Sequence, residues 1–258
     1  MAKQIIQNAK VLVNGSDISG DINETSLLIT HPDVDVTVYG SSSIRRLAGL
    51  QDWEVSVSGF YEAGTDKVDT VIFPLVGTSN NEITVCPVSA TSGQTVYLSQ
   101  TNVLEYEAGG SVGDAMGFNF VAKSEAIPMV RGEMLIAGFK ESTAATVSGY
   151  ATEITATSAG AGSITLPGIG YGMLHVTSSS GQADRTLDVK IQSDATSSFA
   201  SPTTVFTFTQ ITTTQTSQMK QTTASTTDTW WRGVYTIGGT LENAFTIYLS
   251  LGVYNPIQ

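Results

Sequence analysis

One cysteine in 258 residues means that no disulfide framework within the chain holds the fold together. That residue, Cys86 in "EITVCPVS", reads as a buried strand position rather than a reactive thiol. Histidine is nearly as scarce, with His31 and His175 alone. A catalytic histidine needs a nucleophile or carboxylate held beside it, and no spacing here supplies one. His31, before Pro32, is expected in a turn, and His175, in "MLHV", on the polar face of a strand. No Cys/His cluster has zinc-ligand spacing. Charge is thin at 14%, against roughly 25% in an average soluble domain. Positive charge is thinnest, with 12 Lys and Arg against 23 Asp and Glu. A basic groove that grips phosphates needs clustered cations, so that class of function is excluded. No run approaches the ~20 apolar residues that span a bilayer, and "MAKQIIQNAKVLVNG" lacks a signal peptide's apolar centre. No membrane-spanning segment is therefore expected, and synthesis in a cytoplasm is. The glycine-rich "GGSVGD" and "GIGYG" do not sit in strand–loop–helix units, so no nucleotide or other cofactor is expected.

What is present is a chain 41% hydrophobic, long enough for one large β domain or two ordinary ones. With few charges, its polar surface must be Ser, Thr, Asn and Gln, a composition suited to packing against copies of itself. Acidity is uneven: residues 1–143 carry 8 basic and 17 acidic side chains, and residues 144–258 carry 4 and 6. The small-residue run "STAATVSG" at 142–149 marks a candidate boundary, giving domains 1–143 and 144–258.

Along the first domain, "KVLV" enters an Asn-Gly turn at 14–15, a dipeptide that tolerates positive φ. Pro32 cannot donate to a ladder and marks an edge, bulge or bend. One segment, "TDKVDTVIFPLVG" at 65–77, has helical periodicity. Val68, Val71, Ile72, Leu75 and Val76 form its stripe, Thr65 its N-cap, Pro74 its end and Gly77 its left-handed exit. Beyond 150, strand-like runs recur between Gly, Ser and Asp turns, the pattern of an antiparallel β-sandwich of jelly-roll or Ig-like type. In the last of them, Phe245, Ile247, Leu249, Leu251 and Val253 share a face. The Thr/Ser/Gln-rich stretch 203–229 reads as exposed sheet.

Two stretches carry the sharpest pattern. In "DVDVTVYG" (33–40), Asp33, Asp35, Thr37 and Tyr39 alternate with Val34, Val36 and Val38. In "DWEVSVSG" (52–59), Asp52, Glu54, Ser56 and Ser58 alternate with Trp53, Val55 and Val57. Glu105 and Glu107 form a third i, i+2 pair. Such pairs, about 7 Å apart along a strand, suit a glycosidase or a calcium site. No aromatic sugar platform accompanies them and no Asp/Asn/Gly loop has calcium-loop form, so no catalytic residue and no metal ligand is assigned. Trp230 and Trp231 are candidates for stacking on sugar rings, but neighbours on a strand face opposite ways, which sends one to the core.

The order "VLVNGSDISGDINETSLLI…DVTVYG…IRRLAGLQDWEVSVSGFYEAG" resembles the tail tube (major tail) proteins of long-tailed bacteriophages. The matching positions are Asn14, Gly15, Asp17, Ser19, Thr37, Gly40, Arg45, Leu47, Gly49, Leu50, Asp52, Ser58, Gly59 and Phe60. "DKVDTVIFPLVG" looks like the family's single helix and "VLEYEAGGSVGDAMGFNFVAKS" like its late strands, so the resemblance covers roughly 8–135. The stretch from "RTLDVKIQSD" onward resembles, more loosely, accessory β-sandwich domains of phage structural proteins. The resemblance implies an N-terminal two-sheet sandwich or split barrel with one flanking helix, and a C-terminal antiparallel sandwich. It implies a virion protein whose homo-hexameric rings stack into a tube conducting DNA as a transient cargo. Its other partners would be the tape measure, the tail terminator and the baseplate or tip.

On that reading the valines pack against a second sheet, while Asp33, Asp35, Thr37, Asp52, Glu54 and Ser56 face the lumen. The connection 41–50, with Arg45, Arg46 and Leu47, is expected to reach a neighbouring ring or subunit, as is the N-terminal arm with Ile5 and Ile6. The alternatives are outer-surface acids, a solvated loop, and a receptor- or carbohydrate-binding virion protein acting through the C-terminal sandwich and Trp230 or Trp231.

Overall fold

A computed structural model describes residues 8–141, 147–153, 168–212, 215–223, 226, 228–239 and 243–254. Ile5 and Ile6, and the boundary expected at 143/144, lie outside them. The chain is mainly β, with antiparallel pairing and one short α-helix. In chain order the strands are β1 (Lys10–Val13), β2 (Ser16–Asp17), β3 (Ile22–Thr30), β4 (Asp33–Asp35), β5 (Arg46–Ala48) and β6 (Asp52–Phe60). After the helix α1 (Val68–Ile72) come β7 (Asn81–Cys86), β8 (Thr95–Gly109), β9 (Gly117–Ser124), β10 (Val130–Glu141) and β11 (Val147–Glu153). The remainder are β12 (Ile169–Ser180), β13 (Thr186–Asp194), β14 (Thr203–Thr207), β15 (Thr216–Thr222), β16 (Trp230–Gly238) and β17 (Ala244–Tyr254).

Two compact units result: Met1–Gly20 with Glu82–Ser99 and Val130–Gln258, and Asp21–Asn81 with Gln100–Met129. They cut the chain at other points than the composition does. One reason is that Gly132–Glu141 pairs with Ala244–Gly252, tying a strand before the expected boundary to the last strand of the chain.

In the first unit the strands run β15-β12-β17-β10-β8-β7-β1-β2, and a second sheet runs β11-β16-β13-β14. Between β12-β17-β10 and the second sheet lies one core of Leu174, Val176, Ile191, Trp231 and the five β17 residues expected to share a face. The opposite face of β12 and β17 is covered as well. Met173, His175, Tyr248 and Ser250 are buried, Thr84 of β7 bonds His175, and Lys10 of β1 lies 5.5 Å from the Tyr248 ring centroid. With both faces covered, a polar side chain on β12 has no water to face. His175 is thus fully buried, not solvent-facing as the sequence suggested. Its Nδ1 accepts from the Gly15 amide (3.3 Å) and its Nε2 lies 2.9 Å from Thr84 Oγ1. Burial pushes its pKa down to about 3. The Asn14-Gly15 turn has the expected positive φ values, 47° and 82°, and a Cβ on Gly15 would overlap the Thr216 backbone. Cys86 is buried as expected, and burial pushes its thiol up to about 12.

The second unit is a sheet in the order β3-β6-β9-β8, bordered by β3 and by the last part of β8. Its inner face is Trp53, Val55, Val57, Val103, Phe118, Phe120 and Ala122, all buried. Val68 and Ile72 of α1 are buried too, and Tyr106, on the same face, bonds Asp69 at 3.0 Å. The helix is shorter than its apolar stripe predicted, because a 3-10 turn at Phe73–Leu75 carrying Pro74 follows it at once. Gly77 supplies the left-handed exit, with φ 77°. Thr65 is not its cap. The N-cap position is Lys67, and the carboxylate of Asp21, 47 residues earlier, accepts from the Val68 amide at 3.1 Å. Among the described residues, no helix is long and apolar enough to cross a membrane.

Candidate functional site: an acidic sheet face and its ribbon

Alternation on β6 is as the sequence predicted. Trp53, Val55 and Val57 are buried, and Asp52, Glu54, Ser56 and Ser58 are on the other side, exposed or half-buried. Antiparallel register places residues directly across from one another on one face. The rows are Leu28–Glu54–Lys123–Asn102, Ser26–Ser56–Val121–Glu105 and Glu24–Ser58–Asn119–Glu107, with Thr30 opposite Asp52 at the end. A bulge at Leu104 is what brings Glu105 and Glu107 into these rows. Five carboxylates (Glu24, Asp52, Glu54, Glu105, Glu107) therefore share a face with one lysine.

That lysine, Lys123, donates to Glu54 Oε2 at 3.0 Å. Its pKa is raised first by the Glu54 hydrogen bond, then by the charges of Glu54, Glu105 and Asp52. Asp52 accepts from the Ser124 hydroxyl at 2.8 Å, and Ser56 Oγ lies 3.5 Å from Asn119 Oδ1. Glu24 and Lys123 escaped the sequence reading. Glu24 carried a usable signal, since it stands two residues before Ser26 and four before Leu28 in a period-2 run.

Asp33, Asp35 and Thr37 are not on this sheet. Past Thr30 the β3–β6 hairpin is interrupted at Pro32, as predicted, and continues as a two-stranded ribbon, β4 with β5. Gly49 donates to the Pro32 carbonyl at 2.6 Å, and His31 Nδ1 lies 3.2 Å from the Gly49 carbonyl, fixing the joint. The strand expected over 33–40 ends at Asp35. Val34, Val36 and Val38 pack against no second sheet: they are 49%, 37% and 64% exposed. A two-stranded ribbon has no second layer of its own, so nothing within the unit covers them.

Within the ribbon, Arg46 bonds Asp33 at 2.9 Å. The Thr37 hydroxyl and amide hold Asp35 below the usual carboxylate range, the amide donating at 2.9 Å. The Thr37 hydroxyl in turn accepts from the Arg45 amide at 2.9 Å. Thr37 is thus occupied locally. Arg46, expected to reach a neighbour, is paired within its own ribbon. The Arg45 side chain has no ion pair among the described residues. Leu47 is exposed, with Tyr39, Ile44 and Leu50.

In the first unit, Trp231 is buried in the core while Trp230 is half-buried, facing the other way. Arg232, on the Trp230 side of β16, bonds Gln192 through two nitrogens (3.0 and 2.9 Å) and lies 4.4 Å from the Phe199 ring centroid. Among the described residues, no three His, Cys, Asp or Glu side chains are grouped to hold a metal ion.

No protein-family model matches the sequence, and no curated protein matches it. Among solved structures, the tail of an empty gene transfer agent particle, refined in C6 symmetry, is 15% identical. It aligns with 47% of this chain and 93% of its own at a TM-score of 0.37. The sheath/tube terminator of the extracellular contractile injection system PVC is 11% identical over 50% of this chain and 97% of its own, TM-score 0.41. The Dit (gp 19.1) protein of phage SPP1 is 9% identical over 96% of this chain and 100% of its own, TM-score 0.35. At these scores the likenesses are distant and carry no weight for the role of the chain.

Proposed function

We propose that the chain is a structural subunit of a phage tail tube, a virion protein whose copies close into rings that stack around a DNA channel. The observation that carries this reading is the acidic face of β3-β6-β9-β8, bordered on one side by a nine-residue strand that pairs only with β6. An exposed edge of that length invites pairing with another chain, and closure into a ring removes it. The far border, the end of β8, is the partner it would meet on the next copy. Six copies per ring is what the sequence resemblance implies.

On this reading Glu24, Asp52, Glu54, Glu105 and Glu107 line the bore, with Lys123 held among them. Fixed negative charge repels phosphates, and at a Debye length of about 8 Å in physiological salt a narrow channel still feels its wall. DNA then slides through without binding. The tape measure, terminator and tip would share these rings as partners, and no step calls for an enzyme. Negative-stain microscopy of the purified full-length protein tests the reading. Rings or tubes with a central hole are expected; a protein that stays monomeric at every concentration and salt overturns it.

A second reading, binding of glycans or a receptor by the first unit, is favoured by Trp230 being half-buried beside the fixed Arg232 guanidinium. A glycan array probed with the full chain and with Trp230→Ala decides it: equal signals, or none, remove this reading.

A further inference from the structure

The tube reading leaves open how rings join, and the second unit carries an answer in its two ends. The strand registers set Asp52, Ser124 and Thr101 at one end of the sheet and Phe60, Gly117 and Gly109 at the other. The β4–β5 ribbon extends the first end. The β8–β9 turn, residues 110–116, closes the second. The ends are roughly 27 Å apart, from nine residues at about 3.3 Å each. Apolar side chains stand in water at both. Tyr39 is 108% exposed on the ribbon loop and Val112 is 109% exposed on the β8–β9 turn, with Phe60 and Met116 beside the latter end at 58% and 42%. Fully exposed apolar residues at both tips of one sheet satisfy nothing inside the unit.

Charge follows the same axis. The basic residues of the second unit are Arg45, Arg46, Lys67 and Lys123, and three of them are paired within it: Arg46 with Asp33, Lys67 with Glu62 and Asp21, and Lys123 with Glu54. Arg45, on the ribbon, is the remaining one. The opposite end carries Glu107 and Asp114, both exposed, in neither case with an ion pair. Each end therefore offers what the other lacks, and neither is self-complementary. An interface between unlike ends is heterologous, and when it does not close it propagates as a filament.

We propose that copies of this chain join head to tail along the strand direction of the second unit. The ribbon of one copy, with Tyr39 and Arg45, seats on the β8–β9 turn end of the next, at Val112 and its flanking carboxylates. The proposal rests on the tube reading and adds the direction and the surfaces of stacking.

Two engineered thiols test it. The full-length chain carrying Tyr39→Cys and Val112→Cys is assembled and treated with a short, flexible bis-maleimide; Cys86 is buried and does not react. The double variant is expected to give a ladder on a denaturing gel with 27.2 kDa steps, and each single variant no ladder. Val112→Asp, at a fully exposed position, is expected to leave separate rings that no longer stack. Assemblies without a ladder, or Val112→Asp rings that stack as before, overturn the head-to-tail joint and leave the tube reading standing. A wild-type chain that never assembles overturns both.

Discussion

The two units treat apolar surface in opposite ways. Of the large hydrophobic side chains exposed among the described residues, only Phe139 belongs to the first unit; the rest, from Leu28 to Met116, belong to the second. Most buried polar groups run the other way: His175, Thr84, Ser99, Ser193, Asp194, Asn243 and Ser250 are all in the first unit. One unit has completed its own interior, polar groups included. The other has completed one face of a sheet and left a ribbon, an edge and a turn uncovered. Monomeric proteins seldom leave so much apolar surface in water. The difference teaches that stability and assembly are carried by separate sets of residues, and that separation can be broken or sharpened by substitution.

The largest effect is expected from Trp231→Ala, which empties the first unit's core. A loss of about 3–5 kcal/mol should appear in urea unfolding. Acid comes next. His175 is neutral in the fold, with its pKa lowered from 6.5 to about 3, so below pH 6.5 the unfolded chain takes up a proton that the folded chain refuses. The stability it contributes is complete above pH 6.5 and is lost as pH falls toward 3, at about 1.4 kcal/mol per pH unit. Unfolding free energies measured at pH 6.5 and 4.5 should differ by up to about 2.7 kcal/mol more in wild type than in His175→Gln. In the second unit, Asp21→Ala removes the α1 cap and should cost about 1–2 kcal/mol in the same assay. Smallest of all in stability is Tyr39→Ser on the ribbon, expected within about 0.5 kcal/mol of wild type. It should nonetheless reduce sedimenting assemblies. A ribbon substitution that unfolds the chain, or a core substitution that abolishes assembly while leaving it folded, would erase the distinction.

The same contrast explains which features were legible in the sequence. Period-2 alternation reports that two faces differ, not what covers them. On β6 the apolar face met α1 and the inner sheet, so the reading of Trp53, Val55 and Val57 held. On β4 and the residues after it the identical rhythm met nothing, because a ribbon beyond the sheet has no second layer. His175 failed for the converse reason: β12 is covered on both sides, and a polar residue there is enclosed by Thr84 and the Gly15 amide. The cap of α1 was illegible in principle from its neighbourhood, since Asp21 reaches it only through the fold. Glycines fared better where their reason was local. Gly59 of the "SGF" motif packs on the Asp21 carbonyl so closely that a Cβ would overlap it. The carboxylate pair Glu105/Glu107 was visible as a pair, but its membership of the acidic face depended on the Leu104 bulge. Bulges leave little trace in a single sequence.

The pairing of β10 with β17, and the seating of the Asn14-Gly15 turn on His175 and Thr216, set a schedule for biosynthesis. A ribosome must have polymerised past residue 250 before the first strands of the chain find their final neighbours. At roughly 5–20 residues per second, that leaves the nascent chain incomplete for on the order of ten seconds or more. A polypeptide whose opening strands lock only when its closing strands arrive releases finished building blocks one whole molecule at a time.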